Sequence, residues 1–265
     1  MPQAGENHQK VSTNTKSVSK TLAILSSFNE RTPTQRTSDI AAKLHMNIST
    51  VSRHLNTMLD WGFLMRDEET GRYSLGYEVV ALAGAALQNN PLYRHAYPEL
   101  QQMSYKYDVH CHMSVPRGVD VVHLISISCE STMELLIPMG HSHPMYCSAM
   151  GRAMLAYMPQ AEVEKVLRAS ELQKLTPETK IDLREINQEL IHTRQKGYCI
   201  LFDELAESKS SLAAPIFDRN RNPIAAISVS ASAQSLSQPQ RERELAKAVM
   251  TAAGKISGKL GYYPK

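Results

Sequence analysis

Three clusters of residues in this 265-residue chain carry side chains able to do chemistry. The first is Ser49, Thr50, Ser52, Arg53, Asn56 and Thr57. At about 100° per helical residue most of these share a face opposite Val51, Leu55, Met58 and Leu59. Such a face suits a DNA groove, where arginine reads guanine or grips phosphate, asparagine pairs with adenine, and short hydroxyls reach phosphate oxygens. The second cluster is His110, Cys111 and His112 with His141, His143 and Cys147, all metal-type donors. A strand places His110 and His112 on the face that excludes Cys111, and neither run has structural-zinc spacing, so no metal and no cofactor is expected. The third is Cys147 and Ser148, nucleophile-type side chains close to histidines. No GxSxG elbow accompanies them and no acidic residue is placed to orient a histidine, so no catalytic residue is assigned and an enzyme is not expected.

The elements around the first cluster read as a winged helix-turn-helix. Val18, Leu22, Leu25 and Phe28 follow helical spacing behind Ser17 and end in a turn-rich stretch. Thr37 or Ser38 can cap a short helix with Ile40, Ala41 and Leu44 inside, and the break at His45–Asn47 leads to a third helix opened by Ser49. The period then changes to two, and residues 63–75 read as a hairpin with Gly71 at its turn, which would carry Arg66 and Arg72 toward the DNA backbone or minor groove. The expected DNA-contacting set is Thr37, Ser38, Asn47, Ser49, Thr50, Ser52, Arg53, Asn56, Thr57, Arg66 and Arg72, with the helix-turn-helix proper at about 37–56.

The remaining chain divides by pattern into a polar leader (1–15), the winged-helix module (16–76), an Ala-rich helix (77–90) and a larger unit (91–265). The Ala-rich helix is apolar nearly all round and needs a cover, for which a second subunit is the natural candidate. In the larger unit, strands are expected near 110–115, 119–126 and 133–137, helices at 148–157, 162–169 and 182–196, strands near 198–202, 211–217 and 224–230, and a last helix from Pro239. Strands, then helices, then antiparallel strands and a closing helix make this an α+β fold with a central antiparallel sheet.

Composition bounds the function. Hydrophobic residues make up 42% and charged residues 21%, the balance of an ordinary globular protein. The net charge is only +3, but the first 58 residues hold seven lysines and arginines against three acidic residues, so the excess lies in the module that would meet DNA. The four cysteines form no CxxC pair and sit in apolar surroundings, which points to a reducing compartment. The polar N-terminus has no signal-peptide core, and the longest apolar run, Val79–Leu87, is about half of what a membrane span needs, so a soluble cytoplasmic protein is expected.

Several stretches carry a family resemblance: the helix-turn-helix array, YSLG at 73–76, PMYCSAMGRAMLAYMP at 144–159, GYCILFDE at 197–204 and LAAPIFDRNRNPIAAISVS at 212–230. Together, in this order, they resemble the IclR family of bacterial transcriptional regulators over residues 17–261. The resemblance implies a dimer or tetramer that binds palindromic operator DNA through its winged helices. It also implies a linker helix that pairs subunits and a C-terminal GAF-like domain that binds a small, often carboxylic, effector. A repressor of a catabolic operon is the commoner family behaviour. An architectural DNA-binding protein without an effector is the alternative.

One part of the effector site has a physical argument independent of the family. Ser148 can cap the following helix, leaving the amides of Ala149, Met150 and Gly151 as donors for a carboxylate, with Gly151 allowing close approach. By the resemblance, the site also takes in His143, Ala149, Met150, Ser211, Ser228 and Ser230, with Leu135, Cys147, Leu201 and Glu204 beside them. Ser228 and Ser230, two apart on a strand, share a sheet face. Met133, Met139, Met145 and Met150 favour an aromatic carboxylate over a sugar-derived or glyoxylate-type acid.

Overall fold

The structure is a computed structural model that describes residues 15–129 and 137–263. The chain divides into two compact units at Asn89–Asn90. Residues 133–136 of the strand expected at 133–137 and residues 1–14 of the expected leader lie outside the described residues.

In the first unit three helices, α1 (Lys16–Ser26), α2 (Thr37–Lys43) and α3 (Ile48–Asp60), precede a hairpin of β1 (Leu64–Arg66) and β2 (Tyr73–Leu75). Ile24, Phe28, Ile40, Ala41, Val51, Leu55, Met58, Leu64 and Tyr73 form the core. Val18 and Leu22 do not join it. They are 58% and 56% exposed, and the inward turn of α1 is Ile24 with Leu25 and Phe28, a stripe rotated from the one the spacing suggested. Ser17 is not the cap either, since α1 begins one residue earlier. Tyr73 exchanges both backbone hydrogen bonds with Gln35, which ties the hairpin to the segment entering α2. Gly76 lies where a Cβ would strike the carbonyl of Gly62, so the chain leaving α3 and the chain leaving the hairpin cross at a point only glycine allows. Helix α4 (Tyr77–Gln88) follows with no buried residue; Tyr77, Val80 and Leu82 are 78%, 63% and 52% exposed.

The second unit is built on one six-stranded antiparallel sheet in the order β5-β4-β3-β8-β7-β6. The strands are β3 (His110–Arg117), β4 (Asp120–Ile127), β5 (Ser142–Pro144), β6 (Cys199–Ala206), β7 (Lys209–Phe217) and β8 (Pro223–Ala231). β5 has no alternating pattern of its own and escaped the sequence reading; it exists because it pairs with β4, His143 opposite Val121. One face of the sheet carries Cys111, Met113, Ile125, Leu212, Ala214, Ile227 and Val229. Helices α5 (Pro91–Tyr107) and α10 (Pro239–Lys259) contribute Ala96, Leu100, Leu245 and Val249 to the same core. The opposite face packs Val121, Ala213 and Ala226 against α6 (Ala149–Leu155). α7 (Gln160–Ala169) and α8 (Leu183–Lys196) complete that layer, with Val163, Leu167, Ile186 and Leu190 inside, and a short α9 (Ala233–Leu236) precedes α10. The architecture is therefore an N-terminal helix-turn-helix unit with a hairpin wing and a C-terminal α/β unit on a central antiparallel sheet.

Candidate nucleic-acid interface and effector site

The nucleic-acid candidate is the outer face of α3, 13 residues or about 20 Å long. Its start is set by Asn47, whose Oδ1 accepts from the Ser49 amide at 2.9 Å and from Ser49 Oγ at 2.7 Å. Asn47 is thus the cap and Ile48 the first helical residue, one position before the expected start. A capping asparagine stabilises by about 1 kcal/mol. Ser49, Arg53, Asn56 and Thr57 are exposed, Thr50 and Ser52 half-buried. Thr57 Oγ1 donates back to the Arg53 carbonyl at 3.1 Å, so that hydroxyl is partly engaged in the helix. On the inner side His54 bonds Thr21 Oγ1 at 2.9 Å. Partial burial lowers its pKa, and the nearby charges of Arg53 and Lys20 lower it further.

Thr37 and Ser38 occupy the first turn of α2 but do not cap it. The cap position is Arg36, whose amide donates to Asp39 Oδ2 at 3.1 Å. The acid three residues on satisfies that end, so neither hydroxyl is needed there. At the wing, Asp67 Oδ1 accepts from the amides of Glu69 and Thr70, which lowers the Asp67 pKa and sets the turn. Arg66 lies over the Tyr73 ring at 5.6 Å, and Arg72 reaches the Thr34 carbonyl at 3.4 Å. Both arginines belong to the wing, and Arg66 is exposed.

The effector candidate centres on the turn before α6. Ser148 caps α6, its Oγ accepting from the Gly151 amide at 3.2 Å. That removes Gly151 from the expected donor set and leaves the amides of Ala149 and Met150. Gly151 also serves a different purpose from the one expected: a Cβ there would meet the backbone of Met145, so glycine is required for the chain to fold over itself. Cys147 is fully buried in the α6 core, its thiol directed at the Pro144 carbonyl and pushed up to about 12 by burial. It is packed and unreactive, so what it offers the effector set is apolar lining and not a nucleophile. Met145 and Met150 are buried, but Met139 is 51% exposed; Leu135 and Met133 lie outside the described residues.

Glu204 requires a plainer correction. Its two oxygens accept from Arg152 Nη1 and Nη2 at 2.8 and 2.6 Å, its Oε2 accepts from the Lys180 amide at 3.0 Å, and Lys180 Nζ stands 3.8 Å from Oε1. Arg152 is 0% and Glu204 4% exposed, and Arg152 Nε donates to the Tyr146 carbonyl at 2.6 Å. A buried carboxylate that accepts three hydrogen bonds and pairs with Arg152 is committed to the core, and its negative charge would repel an acid. Glu204 holds α6, β6 and the 145–147 turn together, and Arg152 is the residue that the sequence reading missed. The signal for it was an arginine at the centre of an otherwise apolar seven-residue helix.

The register of the strands shows what the sheet presents on the α6 side. Leu201 pairs with Ser211 and Ser211 with Ser230; in the next row Ser228 pairs with His112 and His112 with Ser126; then Ser114 pairs with His123. A register shift beyond Met113 brings Ser126 and His123, three residues apart, onto this face together. Ser211 and Ser230 bond each other at 2.8 Å, and His112 Nδ1 bonds Ser126 Oγ at 3.1 Å. His110, by contrast, is tied to Cys129, whose Sγ lies 3.5 Å from Nε2 and whose amide donates to Nδ1 at 3.4 Å. Burial holds His112, His123 and His143 down to about 3, so all three are neutral imidazoles at neutral pH. An unpartnered buried polar atom costs about 1–3 kcal/mol, which makes their free nitrogens a functional signal. Among the described residues no three His, Cys, Asp or Glu side chains are arranged to hold a metal ion, and no helix is long and apolar enough to cross a membrane.

Comparison with known proteins gives these two regions a common context. Residues 17–68 match the IclR helix-turn-helix domain, and residues 84–258 match the bacterial transcriptional regulator IclR C-terminal domain. The chain is 29% identical over 247 residues to the HTH-type transcriptional regulator KdgR of Escherichia coli, covering 93% of each chain. It is 25% identical over 239 residues to the HTH-type transcriptional repressor AllR of Escherichia coli, covering 88% of each. The crystal structure of an IclR transcriptional regulator from Alicyclobacillus acidocaldarius superposes with a TM-score of 0.83 at 27% identity, over 92% of this chain and 98% of that one.

Proposed function

Because the chain belongs to the IclR family of DNA-binding transcriptional regulators, we propose that it is a repressor whose operator binding is switched by a small organic acid bound in its C-terminal unit. The observation that carries the DNA half is the exposed face of α3, where Ser49, Arg53 and Asn56 stand free of the core on a helix whose other face is fixed by Val51, Leu55 and Met58. Ser49, Thr50, Ser52 and Thr57 serve phosphates, Arg53 and Asn56 read base edges, and Arg66 and Arg72 of the wing meet the flanking backbone.

Supporting the effector half are the first-turn amides of Ala149 and Met150, which the Ser148 hydroxyl does not take, beside a sheet face of serines, Ser211, Ser228 and Ser230, with Leu201 and His143 at its edges. The acid biases the equilibrium between a DNA-competent and an incompetent dimer, which requires only that it bind one of them better. The exposed apolar side chains Tyr77, Val80 and Leu82 of α4 are the proposed seam between the two copies, each of which reads one half of a palindromic operator. The repressing direction is the one carried by the relative AllR.

The test is fluorescence anisotropy with the DNA upstream of the protein's own gene. Binding should be specific and fall steeply with salt. Arg53→Ala should weaken it by about 1–3 kcal/mol, or lower the salt slope by about one if the arginine contacts only phosphate. Equal binding by the variant, with its fold intact, would remove α3 from the interface.

A further inference from the structure

The sheet face described above has a part that the serines and the α6 amides do not account for, and the inference drawn from it rests on the effector reading just given. Six buried side-chain atoms among the described residues have no hydrogen-bond partner. Five of them fall in one patch: His112 Nε2, Ser114 Oγ, both ring nitrogens of His123, and His143 Nε2. The rings of His112 and His123 lie edge to face at 5.5 Å, and those of His123 and His143 at 5.0 Å. Ser114 sits directly across the strand pair from His123. His112 and His123 are each 1% exposed, so water at the surface does not serve them.

The chemistry of these atoms limits what can meet them. A neutral imidazole offers one N–H and one lone pair, and a serine hydroxyl both donates and accepts. Burial keeps the rings neutral, so the patch presents donors and acceptors side by side and no fixed charge. An ionised carboxylate only accepts, and a metal ion takes lone pairs alone. A planar aromatic acid without a hydroxyl would cover the patch and leave its polar atoms unmet. A hydroxyl group complements both kinds at once.

We propose that the effector is an acyclic acid bearing two or more hydroxyl groups, of the aldonic or polyhydroxy-carboxylate class, and that His112, Ser114, His123 and His143 read those hydroxyls. The serine row of Ser211, Ser228 and Ser230 takes the carboxylate end. The methionines do not select the ligand, since of those described Met139 is exposed and Met145 and Met150 pack in the α6 core.

The experiment is calorimetric titration of the full-length protein with glycerate, tartrate and gluconate, set against hexanoate and benzoate, alongside operator binding with each acid present. Ser114→Ala and His123→Phe are titrated in parallel, each with a melting curve as a check of folding. At least one hydroxy acid should bind ten-fold or more tighter than hexanoate and benzoate. Ser114→Ala should weaken that ligand about ten-fold while leaving the melting temperature near wild type, and His123→Phe should weaken it at least as much. The inference is overturned if benzoate or hexanoate binds as tightly as the best hydroxy acid, if no hydroxy acid binds, or if a folded Ser114→Ala protein binds as wild type does. One equivalent of transition metal in protein purified without a tag, lost in His123→Phe, would also overturn it. If a non-hydroxylated acid binds and releases operator DNA, this inference fails while the effector reading stands; if no acid alters operator binding, the effector reading itself fails.

Discussion

Replacing Arg152 with methionine removes, among the described residues, the one cation buried in the α6 core and strands Glu204 there. The arginine makes three short charge-assisted bonds, two to Glu204 and one to the Tyr146 carbonyl, and is wholly buried. Lys180, the other cation near Glu204, is 3.8 Å away and already bonded to Glu189 at 2.8 Å, so it cannot replace the pair. Breaking a buried pair on one side costs about 3–5 kcal/mol because the remaining charge is uncompensated. At roughly 2–4 °C per kcal/mol for a domain of this size, the C-terminal unit should melt about 6–20 °C lower. The double replacement Arg152→Met with Glu204→Leu should recover most of the loss, since a buried pair exchanged for apolar side chains of similar volume is close to neutral. Far-UV circular dichroism follows the C-terminal transition, while the single tryptophan, Trp61, reports the other unit separately. A single variant within about 1 kcal/mol of wild type, or a double variant no more stable than the single, would refute the argument.

Two further outcomes follow from the same geometry. Asn47→Ala should cost the N-terminal unit about 1 kcal/mol in urea denaturation followed at Trp61, because it removes the acceptor for the Ser49 amide; no change would mean that the cap is not used in solution. His112 and His123 titrate near 3 when folded against about 6.5 when unfolded, so the unfolded chain binds protons that the folded one refuses. Their contribution is intact above pH 6.5 and is lost as pH falls below it, by about 1.4 kcal/mol per pH unit for each ring. Urea midpoints measured from pH 6.5 to 5, above most of the carboxylate range, should show this slope; with His143 held down in the same way, His123→Phe should reduce it by about a third, and a flat profile would show that the rings are not held neutral.

The parts of this protein legible in its sequence are those governed by local pattern. The face of α3 could be read because thirteen residues with one apolar stripe leave no choice about what points outward, and Ser148 because a cap acts within three residues. Val18 and Leu22 misled for a tertiary reason: α1 is apolar on more than one side, and only packing against α3 decides that Ile24 is the inner one. Glu204 misled because its partner is 52 positions away, a distance across which no spacing rule operates. The patch of His112, Ser114 and His123 stayed hidden behind a register shift, which moves His123 to the side a regular alternation from Ser126 would deny it. Within the first His/Cys run the two neighbours part, since His110 turns to Cys129 while Cys111 faces the α5 and α10 side.

The central claim is a thermodynamic coupling between a ligand in the C-terminal unit and DNA on α3. It is tested most directly by the dissociation constant of the upstream DNA measured at one salt concentration with and without a saturating acid already shown to bind by calorimetry. Coupling of the usual 1–3 kcal/mol predicts an affinity change of about 5–150-fold, and linkage requires the acid to bind DNA-saturated protein more weakly by the same factor. An operator affinity that is unchanged at saturating acid would contradict the account.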